Sequence, residues 1–410
     1  MRGAPARARR AALPVAAAAT FVAFLDVFAL LPTIAPAAVA LGADDLAIGA
    51  VVAAYSVGGL PGNVLGGRLA DRLGRPGTAA GGLLGAGLAL ASYALAGSVA
   101  TLLLARMLHG FAGGIAMPAL FAAASDAVGR GRAGGAMGRL GATIGIAAIL
   151  GPATAGTVAA ATGPRVVFLG VALLLVLGAA LAWRIPVAAA TGEPDDRDLE
   201  AVAAGDADAV GADPEPRVAV GRLRGAALLT IFGFTVALGV LTGYLPEAVA
   251  VRGGGDAVPG LLLTGFSIVA VALMLSPLVR RLRAESLSGP FLLGLGLIAV
   301  AMGVLAASAS LAVAAVAVLA VGVAFGLLFP ASATAMTVER VSRRGRAFGR
   351  FHVAYGLGFI IGPPLSAGLG QALGTSPFAP AAGIGALVAV LVAVLAPRSV
   401  AAGGPPHPAR

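Results

Sequence analysis

Long apolar runs, each about the length that crosses a bilayer, alternate along this chain with short polar connections. A membrane-spanning helix needs about 20 mostly apolar residues. The pattern predicts twelve such helices, over 14–38, 48–67, 77–98, 101–124, 137–160, 165–183, 225–246, 259–279, 289–308, 311–335, 347–370 and 378–397. Residues 1–13 resemble the basic start of a signal peptide. The apolar run after them is too long for one and no convincing cleavage site follows, so it is read as a retained first helix.

Composition sharpens this picture. Of the 410 residues, 59% are apolar and 11% charged, against about 25% charged in a soluble chain. Mean hydropathy is +0.97, so a water-soluble enzyme is excluded. The 61 glycines and 26 prolines suit polytopic membrane helices. With no cysteine and three histidines, disulfides and thiolate metal sites are excluded and zinc has little to bind, so no metal or cofactor is expected.

The formal net charge is +10, with 28 arginines and no lysine against 18 acids. They sit in short clusters between apolar runs, and no soluble module gathers them into a nucleic-acid-binding face. All but Arg106, Arg165 and Arg252 fall on one side of the predicted spans, the side that also receives both termini. The positive-inside rule makes that side cytoplasmic. The expected location is therefore the plasma (inner) membrane, multi-pass, with both termini in the cytoplasm.

Residues 185–224 interrupt the pattern with nine acids between Glu193 and Glu215. A segment so polar buries too little surface to offset its ordering entropy and reads as a flexible linker. The expected domains are a six-helix half at 1–184, the acidic linker, and a second six-helix half at 225–410. The halves share a repeat. Shifted by 211 positions, Arg132, Ala136, Gly138, Arg139, Gly145, Gly151 and Pro152 fall on identical residues, and Gly110, Gly114 and Pro118 do so at 212. Two halves related by a pseudo-two-fold along the membrane normal place a cavity between them.

Three motifs carry a family resemblance. Gly67-Arg-Leu-Ala-Asp71-Arg72-Leu-Gly74-Arg75, after the second span, resembles the G-x-L-x-D-R-x-G-R pattern of the major facilitator superfamily, though Pro76 and Gly77 replace its final base. The second half carries arginine where Asp71 would repeat. In the fourth span, Arg106 followed by His109-Gly110 resembles the family's intramembrane arginine and Q-G-x-G-like run, with histidine in place of the common glutamine. In the fifth span, Gly145 through Gly151, Pro152 and Gly156 resembles the packing motif of the drug/proton antiporter branch, with Ala147 and Ala155 departing from it.

The resemblance spans the chain apart from its tails and linker. It implies an all-α membrane protein of twelve transmembrane helices in two pseudo-symmetric halves, the major facilitator fold. It further implies a secondary transporter that works as a monomer by rocker-switch alternating access. The expected function is export of a small amphipathic or hydrophobic compound in exchange for protons. The alternative is a sugar or metabolite permease of the same superfamily. The expected partners are the small-molecule substrate, protons and the lipid bilayer, with no nucleic acid.

Asp26 is the only acid deep in a predicted span, and Arg106 is an arginine inside the bilayer. Intramembrane charges are costly and normally face a cavity or each other, so the two are expected to pair and to couple transport to protons. Asp71, Arg72 and Arg75 are expected to gate the cytoplasmic seam, with Asp126 as a partner for Arg75. Phe24, Phe28, His109, Phe121, Phe234, Tyr244, Phe266, Phe329 and Tyr355 are candidate cavity residues.

Overall fold

A computed structural model describes residues 6–128, 133–185, 214–280, 282, 286–337 and 344–396. Among the described residues there is no strand. Twelve helices are long and apolar enough to cross a membrane, so the protein is a multi-pass membrane protein. In chain order they are span 1 (Ala6–Leu30), span 2 (Asp45–Leu73), span 3 (Arg75–Ala91), span 4 (Val99–Val128), span 5 (Ala133–Thr162) and span 6 (Pro164–Trp183). Span 7 (Pro214–Ala250), span 8 (Val258–Leu275), span 9 (Ser288–Ala307), span 10 (Leu311–Thr337), span 11 (Arg344–Leu373) and span 12 (Phe378–Leu395) follow.

Short turns fix how successive spans reverse. Span 2 stops at Leu73 and span 3 starts at Arg75, with Gly74 alone between them at φ 85°. That left-handed conformation penalises any side chain with a Cβ, which accounts for the glycine in the motif. Arg75 follows immediately, its guanidinium donating to the Ala122 carbonyl of span 4 at 3.0 Å.

The packing repeats between the two sets of six. Span 1 packs on spans 4, 5 and 6, and span 7 packs on 10, 11 and 12 in the same relation. Span 2 lies on 4 as span 8 lies on 10, and 3 contacts 4 and 6 as 9 contacts 10 and 12. The glycines that repeat in the sequence explain the closeness. A Cβ on Gly110 or Gly114 would run into the backbone of span 2, and one on Gly322 or Gly326 into the backbone of span 8. Backbones that approach this closely gain dispersion contacts that lipid cannot supply.

The two sets meet chiefly where span 2 packs on span 11 and span 5 on span 8. This seam is tight at the end of the bundle away from the Gly74 turn. There the Tyr244 hydroxyl donates to the carbonyl of Asp45 at 2.7 Å, with the Pro363 carbonyl at 3.3 Å. A Cβ on Gly156 would lie 3.0 Å from the Gly260 Cα. Nearby, the Thr264 hydroxyl donates to the Ile149 carbonyl at 3.2 Å.

Span 7 begins at Pro214, eleven residues before its expected start at 225. Its extension is anchored. Leu223 is buried, and Arg222 donates to the carbonyls of Val394 and Leu395 at the end of span 12. Four carbonyls at a helix end lack intrahelical partners, so an arginine that supplies donors there holds the extension in place. The remainder of the expected linker, 186–213, lies outside the described residues.

Candidate functional site

Among the described residues, the buried Asp, Arg and His side chains all lie in the first set of six helices. Asp26 on span 1 is 2% exposed, and Arg106 and His109 on span 4 are 6% and 0% exposed. Residues three apart share a helix face, so Arg106 and His109 look toward the same neighbours. The His109 Nε2 is 2.9 Å from Asp26 Oδ2, and its Nδ1 is 2.9 Å from the hydroxyl of Tyr93. Tyr93 comes from the 3-10 turn 92–95 that ends span 3, and its ring packs edge-on against Phe168 of span 6.

Here the structure corrects the expected pairing. Asp26 bonds His109, whereas the Arg106 guanidinium lies over the ring of Tyr55 on span 2, 5.0 Å from its centre. Tyr55 also packs edge-on against His109. A cation over an aromatic face gains from the ring quadrupole, more so when desolvated. That contact leaves Nε and Nη1 of Arg106 buried without hydrogen-bond partners, as is Oδ1 of Asp26. The site thus holds unused donors and an unused acceptor close together. Buried polar groups are normally satisfied, which marks this cluster as one whose bonding is completed by something further.

His109 is accordingly the partner of the carboxyl rather than a cavity residue. Among the other expected cavity residues, Phe234 and Phe266 are core residues of the second set. Phe234 stacks on Phe325 at 4.7 Å and Phe266 on the other side at 5.8 Å. Tyr244 is spent on the seam. Phe24, Phe28, Phe121, Phe329 and Tyr355 are half-buried, and Phe24 contacts both Phe28 and Phe121 at 6.3 Å.

Of the motif after span 2, Asp71 and Arg72 are exposed. The side chain of Asp126, expected to meet Arg75, lies outside the described residues. In span 5, a Cβ on Gly151 would press on the backbone of Phe28 and Ala29, one on Gly145 would approach Val271 at 3.3 Å, and Gly156 faces Gly260. These glycines therefore line the packing of span 5 on spans 1 and 8. Tyr55 and Tyr93 were missed from sequence. Their rarity, among four tyrosines in the whole chain, was the one available signal, because a buried hydroxyl in an apolar helix needs a polar partner.

Known proteins share this fold. The family model described as Major Facilitator Superfamily matches residues 16–339 and 290–410. No curated protein sequence matches significantly. Among solved structures, a peptide transporter in complex with sulfate superposes with a TM-score of 0.72 at 16% identity, covering 94% of each chain. A bacterial homolog of the human lysosomal transporter Spinster, inward-facing and occupied, gives 0.69 at 14%, covering 95% of each. The human organic anion transporter MFSD10 gives 0.63 at 20%, covering 94% of this chain and 99% of that one.

Proposed function

The chain belongs to the Major Facilitator Superfamily and is a transporter, not an enzyme; from that premise we propose that it exports a small amphipathic or hydrophobic compound in exchange for protons. The two six-helix sets, 1–184 and 225–410, rock against each other about the seam, joined through the acidic 185–224 segment. The arginine bias orients both termini to the cytoplasm of a plasma membrane. The tight end of the seam is then the outer one, and the present conformation is closed to the outside.

The observation that carries the reading is Asp26, a buried carboxyl inside a span with one oxygen unpartnered, in a cluster where Nε and Nη1 of Arg106 are unpartnered too. A site built on such a carboxyl holds a proton in one conformation and releases it in another. On the same two spans, Phe24, Phe28 and Phe121 form an apolar cluster of half-buried rings, suited to an amphipathic substrate. The glycine-rich packing of span 5 against spans 1 and 8 agrees with the antiporter resemblance. Asp71, Arg72 and Arg75 stand at the inner end, where they would close the seam in the opposite conformation.

The test is a resistance panel in an efflux-deficient bacterial host, followed by inverted vesicles carrying a pH gradient. Compounds exported by the wild-type protein should dissipate that gradient on addition, and Asp26→Asn should abolish the response while downhill exchange survives. Transport indifferent to the gradient would overturn proton exchange and favour a permease.

A further inference from the structure

We propose that the coupling proton is held by a dyad, Asp26 with His109, in which His109 is the group that takes the proton and the Tyr93 hydroxyl accepts a hydrogen bond from the ring nitrogen that carries it. This rests on the proton-coupled reading above and assigns its carrier.

The geometry dictates the roles. An ionised Asp26 only accepts, so the neutral imidazole must carry its hydrogen on Nε2 and donate it across 2.9 Å. Nδ1 is then the acceptor, and the Tyr93 hydroxyl donates to it at 2.9 Å. A proton from the outer aqueous phase binds at Nδ1. The tyrosine hydroxyl rotates to accept from the new N–H, and the imidazolium faces the carboxylate through Nε2. Release reverses each step, and no other bond forms or breaks. Both nitrogens keep a partner throughout, so the fully buried ring has no unsatisfied state in the cycle.

The surroundings set the charge balance. From span 2 comes Tyr55, from the end of span 3 Tyr93, from span 1 Asp26 and from span 4 Arg106. The described side chains of span 5 include no ionisable group, and in span 6 Arg165 stands at the outer end. With neutral histidine, Asp26 and Arg106 cancel. One bound proton leaves two cations, three residues apart on span 4, sharing one carboxylate. The cluster therefore takes a single proton, and its excess charge in the bilayer is relieved by a change of conformation or by proton loss.

The experiment combines histidine-selective NMR of the purified full-length protein in micelles with a distance between spin labels at Gly97 and Ala309. These exposed positions lie on the 3–4 and 9–10 turns, and the chain has no native cysteine to interfere. The His109 imidazole should be found with one ring nitrogen protonated in one conformation and with both protonated in the other. His109→Gln retains groups for both hydrogen bonds but takes no proton, so it should remove the pH response of the label distance. Should that variant fail to fold, Tyr93→Phe serves. It removes the group that accepts from the charged ring, and charge-assisted hydrogen bonds are roughly twice as strong as neutral ones, so the pH response of the label distance should shrink. An imidazole fixed in one protonation state overturns the dyad, as does a full pH response in His109→Gln or in Tyr93→Phe. If wild-type vesicles still show gradient-driven transport in that case, only the dyad falls. If they show none, the proton-exchange reading falls and takes the dyad with it.

Discussion

At the scale of residues, the cluster around Asp26 shows how far a sequence reaches. An acid and an arginine inside apolar runs stand out because each is costly there. Which side chain meets the carboxyl depends on the rotation of span 4 about its own axis, and a difference of three positions separates Arg106 from His109. Tyr93 gave no periodic cue, because it lies in a turn of 3-10 helix rather than on a helix face. Arg106 still shapes the site: its guanidinium lies over the Tyr55 ring that packs against His109. Arg106→Ala should therefore loosen the cluster and weaken coupling. Gradient-driven and downhill transport compared in vesicles check this; an unchanged ratio of the two would remove Arg106 from the coupling machinery.

At the scale of elements, arginine does its structural work at helix ends. Arg252 donates to the carbonyls of Ala248, Leu305 and Ser308, from 2.6 to 2.9 Å, and so ties the end of span 7 to that of span 9. Hydrogen bonds from a charged donor contribute about 1.5–3 kcal/mol each when buried. Arg252 is only partly buried, so Arg252→Ala should cost about 1–3 kcal/mol in total and lower the thermal midpoint in detergent. An unchanged midpoint would mean that water satisfies those carbonyls equally well. The spans themselves were legible from apolar length alone, and the resemblance anticipated their number. The start of span 7 was not. Residues 214–224 are polar enough to read as linker, and only their docking against the end of span 12 makes them helix.

At the scale of the molecule, the repeat in sequence becomes a repeat in packing, with spans 1–6 and 7–12 making equivalent contacts. The equivalence stops at chemistry. The first set carries the buried Asp26, Arg106 and His109, and at the matching place the second carries Val240, Val318 and Val321, all buried and apolar. One set therefore holds the charge while the other supplies an apolar counterpart, and the seam between them is closed at one end by Tyr244, Gly156 and Gly260. In this account, proton binding in the first set biases the movement of the whole bundle. The most direct test needs no substrate: the Gly97–Ala309 label distance, read by pulsed spin resonance across pH, in wild-type and Asp26→Asn proteins. The account predicts two distance populations whose ratio changes with pH in the wild type and stays constant in the variant. A wild-type distribution unmoved by pH, or an Asp26→Asn protein that responds in full, would contradict it.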